Sequence, residues 1–346
     1  MVLLFWGTVA QKNMGLFQAQ EKFFSSWLLW LGPIPTPGGR MTMAFITFNL
    51  ICKLLFASPW KFKNLGIIIT HLGSLMLLAG GVLTAYFSSE GSLALDEGDT
   101  NGIYQDYHYH ELAVIDTQDP LADEVSAFSG SFLEEGAILK RDALPFQIEI
   151  LDFYPNVTIA AKKGTAGPME RGAAKRFDLK SIPLFPEEHK NRAGVKVKIT
   201  GAGESLDGNY LLYEYMEVPQ SLRVKDALYY VGLRKKTYPL PFDIELLDFE
   251  RQVHPGTNTP RSFKSDVHVV RGASKRKVTI SMNKPLRTEG YTLYQSSFSQ
   301  QQGKETSVLA VVENKGRLFP YISSIIICIG ILIHLVLHIP TLIRRA

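Results

Sequence analysis

A membrane protein is expected, with α-helical transmembrane segments plus a large, mostly-β extracytoplasmic domain of two tandem β repeats, packed as a sandwich or a partly open barrel. Three observations predict this class. Leu65 to Phe87 carries no charge over 23 residues and Pro320 to Ile339 carries none over 20. At about 1.5 Å per residue, each is long enough to cross a hydrocarbon core of roughly 30 Å. Between them, short runs alternate apolar with polar residues and are punctuated by Gly, Pro and Asn/Asp turns, the pattern of half-buried strands. Finally, LPFQIEILDF (144–153) recurs as LPFDIELLDF (240–249), identical at eight of ten positions with a spacing of 96.

The N-terminal MVLLFWGTVAQ is apolar, lacks the basic n-region of a signal peptide and is too short to span. It reads as the tail of a transmembrane helix whose beginning is missing or lies outside this chain. Residues 7 to 40 are expected on the outer side. Trp27, Trp30 and the cluster PIPTPGG suit either an interfacial segment, where tryptophan favours the headgroup level, or a plain surface loop. A further span is expected at about 41–57, where Lys53 near the end can snorkel to the interface. The span at 65–87 follows.

Orientation comes from the basic residues beside the spans. The short connection between 57 and 65 holds Lys61 and Lys63, with Lys53 just before it, and Arg344 and Arg345 follow the last span. Both ends therefore read as cytoplasmic, and residues 88–319 as lying on the opposite side. The expected organisation is an N-terminal membrane region (1–87), an extracytoplasmic β-rich domain (88–319), and a final helix with a short cytoplasmic tail (320–346). In the repeat, Phe146/Ile148/Ile150 and Phe242/Ile244/Leu246 alternate with Glu149 and Glu245, so each copy is a strand with one buried face. A second echo follows each copy, NYLLYEY and then GYTLYQSSF. Two such units bury both faces by packing together.

Composition removes several functions. The net charge of +4 is scattered, so nothing argues for nucleic acid. Both cysteines, Cys52 and Cys328, fall in membrane segments, which excludes a disulfide, a thiolate metal site or a CxxC redox pair between the spans. KKGTAGPMERGAAKR (162–176) lacks the phosphate-loop pattern and reads as a mobile solvent loop, and RGASKRK (271–277) reads as a solvated turn. No catalytic residue emerges from spacing.

The histidines carry the remaining chemistry. An ionisable side chain inside a membrane segment is costly and is a functional candidate by default. His71 lies six residues into its span, roughly 9 Å deep, and His334 lies five residues before Ile339, roughly 8 Å from the same face. Two imidazoles at similar depth on different helices could flank a flat macrocycle, because neutral imidazole is a good axial ligand for haem iron. Either could instead pair with a ligand from a partner subunit, or hydrogen-bond a neighbouring helix. His338, one turn beyond His334, is expected to be solvated. His108 and His110 in YHYHE share one strand face and could hold a metal, but no third ligand stands at a telling spacing, so an aromatic-rich strand near the membrane is the reading. His189, His254 and His268 are isolated and read as structural or surface residues. No metal other than haem iron is expected.

The motifs, taken in order, resemble the ResB (CcsB) family of cytochrome c biogenesis proteins. GTVAQ (7–11) is similar to the family's G-T-x-x-Q after its first helix. FNLICK (48–53) resembles its second helix, THLG (70–73) its histidine-bearing third helix, and EGSLALDEGD (90–99) the start of its outer domain. ISMNKPLRTEGYTLYQSSF (280–298) resembles the N-x-P-L…G-Y-x-L-Y-Q motif before the last helix and is the most specific match. The resemblance implies four spans and a large domain between the third and fourth, in an integral protein of the cell membrane or thylakoid membrane.

It further implies a CcsA-type membrane partner, with which haem b is moved across the lipid bilayer and joined to the CxxCH cysteines of apocytochrome c. His71 corresponds to the family's intramembrane histidine that helps bind haem, whereas His334 rests on the depth argument alone. Six residues precede Gly7, so the first helix is expected to be largely absent. All four tryptophans lie before the outer domain, so no haem-presenting Trp-rich segment is present and a separate partner is expected. The expected function is a haem-handling subunit of a cytochrome c synthase complex, non-catalytic alone. The alternative is a membrane-anchored β-rich protein-binding or assembly scaffold without cofactor.

Overall fold

The computed structural model describes residues 1–119, 122–216, 218–257, 260–301 and 304–343. Arg344 and Arg345, which carry part of the orientation reading, lie outside the described residues. The α-helices in chain order are α1 (Val2–Met14), α2 (Leu16–Ala19), α3 (Gly39–Cys52), α4 (Leu65–Phe87) and α5 (Phe319–Ile343). Among the described residues, three helical stretches are long and apolar enough to cross a membrane: Gly39–Ala57, Phe62–Phe87 and Phe319–Ile339. They fall within a few residues of the expected spans. The first is α3 continued by the π-turn Lys53–Ala57, and the second is α4 with a preceding 3-10 turn.

The chain forms two compact units, Met1–Gln20 with Gln105–Tyr238, and Glu21–Tyr104 with Pro239–Ala346. This division cuts across the three segments read from the sequence, because it passes through the β region.

In the second unit α4 and α5 lie antiparallel in close contact. The buried residues of α4 are Gly66, Gly73 and Gly80, seven apart and therefore on one face. A Cβ built on Gly66 would come within 2.3 Å of the His334 backbone nitrogen, one on Gly73 within 2.8 Å of Ile327, and one on Gly80 within 2.2 Å of Phe319. The α5 side contributes Gly330, whose added Cβ would meet Thr70 Oγ1 at 2.5 Å. Small residues let two backbones approach where lipid offers no hydrophobic drive to associate, and the dispersion so gained offsets the low helix propensity of glycine. The hydroxyls of Thr70 and Ser74 bond within α4, to the Gly66 and Thr70 carbonyls (both 2.9 Å), so neither faces lipid unsatisfied.

The helix pair continues as a pair of strands. Ser88–Asp96 leaves the end of α4 and runs antiparallel to Lys304–Asn314, which leads to α5, with Ser88 opposite Asn314. Thr84 Oγ1 and the Gly316 amide both donate to Asn314 Oδ1, at 3.0 and 2.8 Å, and pin the junction. These strands belong to a ten-stranded antiparallel sheet. The sheet curls so far that Ser265, on Pro260–Arg271, reaches Gln295 Oε1 at 2.6 Å and Ser307 Oγ at 2.8 Å from strands well along the order. It is a nearly closed barrel, one of the two expected packings.

The first unit is a sandwich. A four-stranded sheet, in the order Gly208–Tyr213, Gly194–Thr200, Gln147–Tyr154, Ile138–Leu139, supplies Ile148, Ile150, Val195, Val197 and Ile199, all 0% exposed. They pack on Leu112, Val114, Leu222 and Val231 of the facing strands. Both repeat copies keep their buried faces, Phe146/Ile148/Ile150 here and Phe242/Ile244/Leu246 in the second unit. Each copy also carries a bulge at the equivalent residue. Pairing skips Leu151 between Ile150 and Asp152, and skips Leu247 between Leu246 and Asp248. A bulge bends its strand and raises the local twist, so the repeat encodes curvature as well as burial.

The RGASKRK turn is exposed throughout, as expected. The 162–176 loop, expected to be mobile, is instead tied down: Lys162 pairs with Glu170, which accepts from the Gly167 amide at 2.7 Å, and Arg171 bonds the Ser205 carbonyl at 3.0 Å.

A glycine pair tests the helix seam. Gly66→Ala is expected to lower the thermal midpoint of the detergent-solubilised chain by an amount equivalent to about 1–3 kcal/mol of overpacking. Gly81→Ala, where an added Cβ meets nothing within 4 Å, is expected to be neutral or to stabilise by up to about 1 kcal/mol. Equal melting of the two variants would remove the close approach as the origin of the pairing.

Candidate functional site

His71 is half-buried on α4. At about 100° per residue it stands about 140° around the helix from Gly66 and about 160° from Gly73, away from the seam with α5. Its Nδ1 lies 2.8 Å from the Ile67 carbonyl, one turn back. A carbonyl can only accept, so Nδ1 carries the proton and Nε2 keeps its lone pair. This is the tautomer of a histidine that ligates metal through Nε2, its other nitrogen held by a backbone oxygen. The hydrogen bond expected under the structural reading is thus present, but within the helix, and it occupies only one of the two nitrogens.

His334 is not brought to His71. Its backbone nitrogen faces Gly66, five residues and so about 7 Å along α4 from His71, and His71 points away from α5. The expectation that the two rings flank one macrocycle is corrected. Depth counted from the ends of apolar runs misses the register, which the glycine seam sets. The His334 ring packs on His338 with centroids 4.1 Å apart, and His338 Nδ1 donates to the His334 carbonyl at 3.0 Å. His338 is therefore half-buried in this contact and not simply solvated. His334 Nδ1 is buried without a hydrogen-bond partner among the described residues.

A second group of titratable side chains gathers in the first unit. His108 and His110 lie on the strand Thr100–Asp116, on one face as expected. His108 Nδ1 is 2.5 Å from Glu188 Oε1, and His110 Nε2 is 2.9 Å from Glu214 Oε2. Glu214 is only 2% exposed, and Lys235 Nζ lies 3.9 Å from its other oxygen. Burial pushes the Glu214 carboxyl up, but the hydrogen bond from His110 and the charges of Lys235 and His110 outweigh it and hold it below the usual carboxylate range. The Asp106 carboxylate accepts from the backbone amides of His108 (2.7 Å) and Tyr109 (2.9 Å), fixing the local bend of the strand. The Phe17 ring lies flat on His108, centroids 3.9 Å apart and planes within 5°.

Sequence reading treated the YHYHE pair as part of an aromatic strand and passed over Glu188, Glu214 and Phe17. The carboxylates stand 80 and 104 residues from their histidines, with no spacing to announce them. His268 pairs with Glu245 at 3.0 Å, while His189 and His254 are exposed. Among the described residues, no group of three or more His, Cys, Asp and Glu side chains is placed to hold a metal ion.

The fold defines a class: a membrane protein whose apolar helices carry a large β region, with a histidine, His71, in one of those helices bonded to its own backbone. Comparison with known proteins agrees with the motif resemblance. The family described as ResB-like matches residues 200–323. The chain is 22% identical over 297 residues, 84% of its length, to Protein NrfI of Wolinella succinogenes. It spans 29% of that relative's length.

The Glu214 network yields a pH-dependent expectation. Removing one partner of a buried ion pair costs roughly 3–5 kcal/mol, so Glu214→Gln should destabilise the chain by about that amount near neutral pH. The folded value of Glu214 is lowered, so its contribution is fully present above the unfolded carboxylate value of about 4.3. It is lost as pH falls through the lower folded value. Thermal melts of wild type and variant should therefore draw together as pH falls from the unfolded carboxylate value through the lowered folded one, and a difference that does not shrink over that fall would mean packing, not charge, is responsible.

Proposed function

We propose that this chain is a haem-handling subunit of cytochrome c maturation, working with a CcsA-type membrane partner that completes the haem ligation to apocytochrome c. The observation that carries this reading is His71: an imidazole in a membrane helix, with Nδ1 bonded to Ile67 and Nε2 without a hydrogen bond among the described residues, on a face turned from the seam with α5. The residues fit haem b as cargo. His71 would supply one axial nitrogen, and the apolar faces of the spans would accept the macrocycle.

Haem iron, when bound, would offer an electrophilic centre to the neutral imidazole of His71. His334, turned onto its own helix and one and a half turns displaced, is not a second ligand in this reading. The ResB-like match over 200–323 and the similarity to Protein NrfI support a role in cytochrome c biogenesis. The basic residues Lys61 and Lys63 around the connection of the first two spans, with Lys53 in the last turns of the first, support placing the β region on the extracytoplasmic side.

The test is an absorption spectrum of the detergent-purified chain, with and without its partner, for wild type, His71→Ala and His334→Ala. A Soret band lost or shifted in His71→Ala and retained in His334→Ala is expected. Absence of any band in all preparations would favour the cofactor-free scaffold and reduce His71 to a helix residue.

A further inference from the structure

Ahead of α3 the second unit carries a small hairpin, Leu28–Leu31 paired with Ile34–Pro37 across a two-residue loop of Gly32 and Pro33. Gly32 supplies the left-handed φ, +63, that such a loop needs. We infer that this hairpin is seated in the headgroup layer of the bilayer, at the end of the spans where α4 leads into the β region, and anchors α3 at that depth. The inference needs the apolar spans and goes beyond the haem reading, on which it does not depend.

Residues 23–39 contain no Asp, Glu, Lys or Arg, and the stretch is bracketed by Lys22 and Arg40. The hairpin nevertheless leaves most of its apolar side chains uncovered. Trp27 is 55% exposed, Trp30 62% and Ile34 63%, whereas Leu29, on the opposite face from Trp30, is 6% exposed. Leu28, Trp30, Pro35 and Pro37 share the uncovered face. Tryptophan beside apolar residues and without charge is the composition of the membrane–water interface.

The backbone suits the same setting. The Gly38 amide donates to the Trp27 carbonyl at 2.9 Å, so this pair is hydrogen-bonded. Alternation along an antiparallel ladder then makes Leu28/Pro37 and Trp30/Pro35 the non-bonded pairs, whose N–H positions turn away from the partner strand. Proline has no N–H, so the free edge of Ile34–Pro37 presents no donor for an apolar layer to leave unsatisfied. That edge is also a poor template for an added strand, which argues for lipid over a protein docking by β-addition. The Thr36 hydroxyl is satisfied internally, donating to the Leu29 carbonyl at 2.8 Å.

Contacts to the spans set the depth. The Ser26 carbonyl accepts from the Arg40 amide, in the first turn of α3, at 3.1 Å. Added Cβ atoms on Gly38 and Gly39 would each lie 2.3 Å from a carbonyl oxygen, of Ser26 and Phe24 respectively, so the hairpin base sits directly on the N-terminus of α3. The Arg40 guanidinium lies over the Tyr86 ring, 5.4 Å from its centroid, just before α4 passes into Ser88–Asp96. The hairpin therefore stands level with the ends of both spans, and its exposed surface continues into Met43, Phe45 and Ile46 of α3. Of the described residues of α3 only Gly39 is buried. Packing gives this helix little hold, and an interfacial anchor supplies one.

The test places the full chain in phosphatidylcholine nanodiscs with Trp30 as its only tryptophan, Trp6, Trp27 and Trp60 being replaced by Phe. Trp30 should lose most of its emission in lipid brominated near the headgroup end of the acyl chains. It should lose less in lipid brominated near the chain ends, and little to iodide in the water. A second chain that keeps only Trp27 should behave alike, so the result does not hang on one set of replacements. Quenching by iodide with none by bromolipid would put the hairpin in water and overturn the inference. Emission insensitive to both quenchers would mean that protein covers the hairpin, and would overturn it too. Stronger quenching by the deeper bromines would place the hairpin in the hydrocarbon, against the interfacial seat. The Soret experiment on His71 is unaffected by any of these outcomes.

Discussion

The close approach of α4 and α5 is the constraint on which the second unit depends. Three glycines seven residues apart allow backbone contact in lipid, where apolar surface alone gives no reason for helices to prefer each other. Because Ser88–Asp96 and Lys304–Asn314 leave the same ends of these helices as a hydrogen-bonded pair, the seam also sets the register of the barrel above it. Asn314 stitches the two levels by accepting from Thr84 and Gly316. Residues 230 positions apart in the chain thus meet at one point.

The seam also decides what the membrane histidine can do. By taking the glycine face of α4 into contact with α5, it leaves the opposite face, and His71 with it, for something other than α5. The ring spends one nitrogen on its own helix, which satisfies the polar group in an apolar setting and keeps the second nitrogen available. His334, whose backbone is part of the seam, has the reverse situation: its ring packs on His338, and Nδ1 is buried without a hydrogen bond among the described residues. Two histidines of similar apparent depth therefore have different chemical prospects.

The β region repeats a ten-residue element and puts it to two uses. The buried faces are the same, and the bulges at Leu151 and Leu247 are equivalent, yet one copy sits in a sandwich and the other in a nearly closed barrel. What differs is the company. In the first, Ile148 and Ile150 face a second sheet, whereas in the second the sheet bends back on itself around Ser265, Gln295 and Ser307. A buried polar trio is tolerable there because each hydroxyl and amide finds a partner.

The apolar runs, the alternation and the repeat were enough to place the spans and the strand faces, because burial in lipid or in a core acts on each residue locally. His71 was legible for the same reason: a lone ionisable group in an apolar helix stands out without any neighbour. Which face of α4 meets α5 was not read in advance, although Gly66, Gly73 and Gly80 at sevenfold spacing were there to suggest it. The failed pairing of His71 with His334 follows from that omission. The carboxylates beside His108 and His110 and the ring on His108 come from segments far apart in the chain. Only the folded chain decides such contacts, since side chains 80 or 104 residues apart are made neighbours by strand pairing and not by any periodicity of their own.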